Sequence, residues 1–214
     1  FNSCLNNNKE NILVIGDSHA IDLFNALSYN IDDETNLISI SRNGCRPAVP
    51  FKSCNFDNII NFVDTNKNNF KLIIYHQKGS YLLTNYKKMP IKNLDLERTI
   101  EFLKNLGLEK KLVWLGPRLE PNIDLNKKIS IELIINQKFS IFEKRELFSN
   151  LDLVLSQVSE TSGINYISLI ELINYQSKTD YFPNKKLMFS DKTHWSIRGE
   201  KYFGKKIIES NLLR

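Results

Sequence analysis

The chain has 214 residues, 42% hydrophobic and 25% charged, ordinary proportions for a single globular domain with a full core. No apolar run approaches the ~20 residues that span a bilayer, and the opening FNSCLNNNKE lacks the charged start and apolar middle of a signal peptide. The net charge of +5 comes from lysines scattered in pairs (Lys87 and Lys88, Lys110 and Lys111, Lys185 and Lys186, Lys205 and Lys206). These form no basic block interleaved with aromatics, so no nucleic-acid partner is expected, and a modest attraction to an anionic surface is the softer reading. A chain that opens on Phe1 rather than Met is expected to be a processed protein or an excised domain.

Along the chain, short apolar runs alternate with helix-length segments. The predicted strands are Asn11–Ile15 (NILVI), Asn36–Ile40 (NLISI), Lys71–Tyr75 (KLIIY), Lys111–Leu115 (KLVWL) and Asn165–Leu169 (NYISL). Continuous rather than alternating apolar runs are how strands buried on both faces of a parallel sheet read. Helices are predicted at about 20–30, 57–68, 94–106, 140–162 and 197–212, with Gly107 as a C-cap residue and Ser196 as an N-cap. The segment from Gly116 begins as a loop, GPRLEP, and continues to Phe139 as helix or hairpin. No repeat and no second domain boundary is visible, so residues 1–214 read as one α/β domain of three layers.

Three cysteines are present: Cys4, Cys45 and Cys54. Cys45 and Cys54 enclose RPAVPFKS, an irregular loop that a disulfide would pin, and pairing implies an oxidising compartment. The alternative is two unpaired thiols. Cys4 is left without a partner. No CxxC, HxH or HExxH spacing occurs, so no metal site and no cofactor is expected.

In an open parallel sheet, ligands bind at the carboxyl ends of the strands. Gly16-Asp17-Ser18-His19 follows the first strand, Gly44 the second, His76-Gln77-Lys78-Gly79 the third and Gly116-Pro117-Arg118 the fourth. The GDSH stretch has no glycine-rich phosphate signature. Read alone, it is a turn in which Asp17 or Ser18 caps a helix. Residues 189–199, FSDKTHWSIRG, change that reading. A serine at a helix N-terminus needs a base, and the base needs a carboxylate to fix its tautomer. The D-x-x-H step lets Asp191 reach Nδ1 of His194 and leaves Nε2 for Ser18. Backbone N–H groups at the start of the helix suit a developing oxyanion.

With GDSH at 16–19 and DKTHWS at 191–196, the chain resembles the SGNH (GDSL-type) hydrolase superfamily. VIGDSHA, then GCRP with a second cysteine soon after, then FSDKTHWSIRGEKYFGKKI, resemble the periplasmic SGNH domain fused to acyltransferase-3 membrane proteins. Those proteins O-acetylate bacterial surface glycans such as lipopolysaccharide. The resemblance implies a flavodoxin-like αβα sandwich with a five-stranded parallel sheet. It implies Ser18 as nucleophile, His194 as general base and Asp191 as its orienter, with Ser18 and Gly44 N–H groups in the oxyanion hole. Its implied partners are an acyl donor, a surface glycan acceptor and a membrane acyltransferase domain fused upstream, and its implied location is the periplasm.

The superfamily's third block supplies an Asn in a GxND pattern, but YHQKGSY stands here. Gln77 or His76 donates in its place, or the hole is incomplete. Losing one oxyanion donor costs about 10²–10³ in kcat. Such a loss suits transfer to a sugar hydroxyl over transfer to water. An esterase with the same triad and a glycan-binding module with an impaired triad are the alternatives. His19 is read as structural or substrate-contacting and Asp17 as bonding loop amides. Arg118 is read as an anion holder or a solvated loop arginine. Trp195 is read as packing or sugar stacking, and Tyr81, Tyr86 and Phe51 as groove lining or scatter.

Overall fold

The computed structural model describes residues 4–6, 8–46, 54, 58–84, 88–107, 111–121 and 144–213. Five parallel strands form one sheet: β1 (Glu10–Gly16), β2 (Thr35–Ser41), β3 (Phe70–His76), β4 (Leu112–Leu115) and β5 (Tyr166–Ile167), in the order β2-β1-β3-β4-β5. Five longer helices accompany them among the described residues: α1 (Ser18–Ser28), α2 (Ile59–Asn66), α3 (Asn93–Asn105), α4 (Arg145–Ser162) and α5 (Ile197–Glu209). This is the three-layer αβα arrangement that the alternation of elements predicts.

The apolar runs explain the sheet. β1 is buried from its second residue onward, and β3 and β4 are buried for most of their length, as central strands covered on both faces must be. β2 was expected to be equally buried, but it is the edge strand and reads TNLISIS, with apolar and polar residues alternating and only Ile38 and Ile40 buried. At the sheet's lower end, Asn11 is buried, and its side chain bonds the Asn6 N–H and carbonyl, the Asn69 carbonyl and the Asn36 amide. A buried amide without those partners would cost about 1–3 kcal/mol.

On one face an aromatic file runs from Phe102 of α3 through Tyr75 and Trp114 to Tyr166, with ring centroids 5.7–6.4 Å apart. On the other face, α1 and α5 pack against each other. Gly204 sits where a Cβ would collide with the Ala26 carbonyl oxygen, so a glycine is what lets the two helices approach.

Several boundaries shift for local reasons. The fifth predicted strand shortens to Tyr166–Ile167, because Ser168 caps a helical turn at Leu169–Leu172, its Oγ accepting from Glu171 N at 3.1 Å. The last helix stops at Glu209, ahead of Asn211 at φ +66°. The predicted helix over 140–162 is described from Arg145, and its first residues lie outside the described set, as does the helix-or-hairpin segment after Pro121. A small antiparallel hairpin, Leu83–Thr84 with Lys88–Ile91, is absent from the sequence reading. Gly107 at φ +66° ends α3 as expected. No helix among the described residues is long and apolar enough to cross a membrane.

The two ends of the chain meet through a buried ion pair. Arg118, in the loop after β4, is 2% exposed. Its Nη2 donates to Asp22 Oδ2 of α1 and to the Thr193 carbonyl, each at 2.5 Å. Asp22 Oδ2 also accepts from Trp195 N at 2.9 Å. The guanidinium lies 4.4 Å from the centre of the Trp195 ring, which stacks on Phe203 of α5 at 4.8 Å. Arg118 is therefore neither a solvated loop residue nor open to an anionic ligand, and Trp195 is packing rather than a sugar platform.

Removing one member of a buried pair strands the other charge, so Arg118→Met is expected to lower stability by about 3–5 kcal/mol in urea denaturation. The Arg118→Met/Asp22→Asn double variant should lose less than the sum of the single losses by at least ~1 kcal/mol. Strict additivity would show that the two side chains do not act as a pair.

Candidate active site

The parallel register lines up the upper ends of the strands. Gly16 pairs with Ser41 on one side and His76 on the other, and His76 pairs with Leu115. The loops after β1, β2, β3 and β4 therefore share one rim. Gly16 has no room for a side chain, since a Cβ there would collide with the His76 carbonyl oxygen. That contact sets the first turn of the GDSH stretch directly against β3.

Asp17 is the N-cap of α1 and is fully buried. Oδ1 accepts from His19 N at 2.8 Å and Oδ2 from Lys78 N at 2.9 Å. One carboxylate thus caps the helix and ties the β1 loop to the β3 loop. Burial pushes its pKa up to about 6, against the pull of those two N–H groups. Glu120 holds the same β3 loop from the other side, its Oε1 accepting from Ser80 N at 3.2 Å, and burial raises this carboxyl too.

Ser18 is the first residue of α1 and is 8% exposed. Its backbone N–H stands among those that open the helix, where the helix dipole is positive. His194 and Asp191 occupy a loop closed at its base by the antiparallel bridge between Phe189 and Trp195 and by Ser190 N donating to the His194 carbonyl at 3.0 Å. His194 Nδ1 donates to Asp191 Oδ2 at 2.7 Å. Asp191 Oδ1 accepts from the backbone N–H groups of Thr193 and His194 at 2.7 and 2.8 Å. A carboxylate only accepts, so this bond places the ring proton on Nδ1 and leaves the Nε2 lone pair free. Partial burial pushes the Asp191 carboxyl up, but the Thr193 N–H, the His194 ring and the His194 N–H outweigh it. The carboxyl lies below its ordinary value.

The His194 ring meets the His19 ring edge-on at 5.7 Å, which brings the loop against the residue that follows Ser18. No hydrogen bond joins Ser18 Oγ to His194 among the described residues. Contacts of this kind are often long before substrate binds. His194 and Asp191 keep 33% and 44% of their side-chain surface, so the base faces solvent while the serine is recessed.

His19 itself is fully buried, with both ring nitrogens unpartnered among the described residues, and its second ring neighbour is His76 at 6.0 Å. It lines the interior and does not face a substrate. Burial holds His19 well below the ordinary range for histidine and lowers His76 to about 3, so both rings are neutral at physiological pH. His76 Nδ1 bonds the Leu115 carbonyl at 3.1 Å, which turns the side chain away from a donor role on the rim. Gln77 is buried too. Its Oε1 accepts from the Tyr75 hydroxyl at 2.8 Å, and its Nε2 has no partner among the described residues. Gly44 lies in an exposed turn after β2 at φ +70°, closed by Cys45 N donating to the Arg42 carbonyl.

Cys45 is bonded to Cys54, with Cα atoms 5.5 Å apart, and Cys4 is free and exposed. Tyr81 lies on the rim beneath Arg46 and Lys78, whereas Phe51 and Tyr86 lie outside the described residues. Asp22 and Thr193 have no place in the sequence reading of the site, and Arg118 has a different one, as an anion holder or a solvated loop arginine. The signal for Asp22 was there: an acidic residue on the apolar stripe of α1, one turn after Ser18.

Comparison with known proteins agrees with this fold. Residues 2–209 match the SGNH domain family described as fused to AT3 domains. The periplasmic domain of the Salmonella ser. Paratyphi A lipopolysaccharide acetyltransferase superposes with a TM-score of 0.72 at 21% identity, over 99% of this chain and 87% of that one. The carbohydrate acetylesterase Est24 of Sinorhizobium meliloti superposes at 0.58 and 9% identity, over 95% and 98%. The M. smegmatis aryl esterase gives 0.56 and 11%, over 96% and 98%. At these identities the likeness establishes the fold, which acetyltransferases and esterases share. No curated protein matches by sequence. The match over nearly the whole length, with GDSH at the end of β1 and the DxxH loop ahead of α5, shows that the chain belongs to the SGNH domain family of AT3-fused proteins.

Proposed function

We propose that this domain is a serine-dependent O-acetyltransferase that moves an acetyl group onto a hydroxyl of a bacterial surface polysaccharide. The observation that carries the reading is the 2.7 Å bond from His194 Nδ1 to Asp191, on a loop fastened to the helix that Ser18 begins. In this reading Ser18 Oγ attacks the acetyl carbonyl carbon while His194 Nε2 takes the hydroxyl proton. The negative charge on the carbonyl oxygen falls to the backbone N–H groups of Ser18 and Gly44, with Gln77 Nε2 as a third donor. The donor's leaving group departs with the proton from His194, and acetyl-Ser18 remains. A sugar hydroxyl then gives its proton to His194 and attacks the acetyl carbon, and Ser18 regains a proton as it leaves.

The acetyl donor is handed over by a membrane acyltransferase domain fused to this one, a reading the family's AT3 fusion supports. The Cys45–Cys54 disulfide supports an oxidising, extracytoplasmic location, the periplasm. If water replaces the sugar, the same residues make an esterase. The lack of an Asn in YHQKGSY favours the other rival, a glycan-binding module with an impaired triad.

Incubation with p-nitrophenyl acetate should load one acetyl group onto Ser18, detected by peptide mass spectrometry. Ser18→Ala should abolish the label and lower turnover by at least about 10³-fold. Equal labelling and turnover in the two proteins would leave only the binding module. Added oligosaccharide separates transferase from esterase, since a transferase puts acetyl on sugar and an esterase releases acetate alone.

Asp191→Asn should lower the acylation rate on the order of 10⁴-fold, because an amide facing Nδ1 favours the wrong tautomer. The wild-type Asp191 carboxyl lies below its ordinary 3.8, so it stays ionised and the ring stays oriented at every pH above that value. Asp191→Asn activity within about tenfold of wild type would show that the carboxylate does not orient the ring.

A further inference from the structure

We infer that a groove beside the active-site loop is a subsite for an anionic sugar of the acceptor, one carrying a carboxylate or a phosphate. The inference rests on the glycan acetyltransferase reading above. The groove has a volume of about 330 Å³, enough for a monosaccharide unit. One wall is Asn184, Lys186 and Met188, from the segment that runs into the Asp191–His194 loop. The other is Arg198, Lys201 and Tyr202, from the first two turns of α5. The walls are joined where Ser196 N donates to the Met188 carbonyl at 2.9 Å. The groove and the candidate base therefore share one stretch of chain, the base standing at the Ser18 end of α1 and the groove's Lys201 at its Tyr29 end.

The charge of the groove is one-sided. Lys186, Arg198 and Lys201 are exposed, and none of them has a carboxylate partner among the described residues. Lys201 Nζ lies 4.8 Å from the centre of the Tyr29 ring, which fixes the ammonium without neutralising it. The nearby acid, Asp180, is buried and already committed. It accepts from the Tyr202 hydroxyl at 2.6 Å, from Lys206 Nζ at 2.8 Å and from Gln176 N at 2.8 Å. Those bonds also lock the Tyr202 ring at the groove, where a half-buried aromatic offers a face to a sugar. The Arg198 guanidinium presents a planar fork that matches carboxylate and phosphate alike. The groove is shallow and open, but its one half-buried tyrosine ring offers a saccharide a stacking face, which a membrane surface does not need.

Binding tested on the Ser18→Ala protein keeps turnover out of the measurement. An oligogalacturonate probes for carboxylate, a phosphomannan oligosaccharide for phosphate, maltohexaose for neutral sugar, and phosphatidylglycerol vesicles for a membrane. One or both anionic sugars should bind by isothermal titration, and binding should weaken with added salt. Arg198→Ala/Lys201→Ala should weaken it at least about tenfold, and Lys9→Ala/Lys104→Ala, remote from the groove, should leave it unchanged. Equal affinity for maltohexaose overturns the inference, as does equal affinity in the groove variant, or vesicle binding without sugar binding. Groove binding without acetyl-Ser18 in the wild type sinks the transferase reading and leaves the subsite. Acetyl-Ser18 without groove binding does the reverse.

Discussion

The buried pair between Arg118 and Asp22 is the interaction on which the candidate site depends. Ser18 opens the first helix, while Asp191 and His194 lie near the chain's far end. Nothing local holds them together. Asp22 stands one turn below Ser18, and its Oδ2 takes both Arg118 and the Trp195 N–H. Arg118 takes the Thr193 carbonyl with the same nitrogen. Both residues next to His194 are thereby fixed to the helix that carries Ser18. Buried ion pairs are often poor contributors to net stability, because desolvation offsets most of the attraction. Their use here is geometric. The pair fixes the position of a loop that has no regular structure of its own.

A second carboxylate does the corresponding work on the opposite side of Ser18. Asp17 joins the helix cap to the Lys78 amide, and Gly16 lets β1 lie against the His76 carbonyl. Ser18 is thus fastened from below by α1, from one side by β3 and from the other by the Arg118 clamp. Behind it lie His19 and His76, both kept neutral by burial. In the proposed reading, a charged His19 ring 5.7 Å from the His194 ring would disfavour the imidazolium that forms there. The neutral His19 ring fills the space without that penalty, and the neutral His76 ring lies behind it.

Much of this was legible in the sequence, and the reasons for the failures are physical. The three central strands and the helices α1, α3 and α5 declared themselves, because burial on both faces and capping are local signals. GDSH and DxxH were legible for the same reason: each is a short segment whose internal bonds, Asp17 to His19 N and Asp191 to His194, span three residues or fewer. What stayed hidden depends on pairing across the fold. Arg118 looks the same in sequence whether it is solvated or clamped, and only the arrival of Asp22 and Thr193 decides. Trp195 was ambiguous until Phe203 and the Arg118 guanidinium were seen to cover its two faces. β2 was misjudged because its place at the edge is a property of strand order. The edge position leaves the alternating residues of TNLISIS half solvated.

Exposure completes the argument about acceptor choice. In the proposed reading Ser18 is recessed, while the Asp191–His194 pair keeps a third or more of its surface. Attack on an acetyl-serine must come from the side where the base stands, and that side is open to solvent. Water at that position is far more concentrated than any sugar, so transfer to a glycan wins only if the glycan is held there and displaces it. The inferred groove would supply such holding from the chain that closes the histidine loop at Phe189 and Trp195 and turns into α5. In that reading a hole without the third-block Asn slows attack by water and sugar alike, so the preference for sugar expected from the sequence does not come from the hole. Selection between the two therefore falls to the surfaces around His194 rather than to the hole.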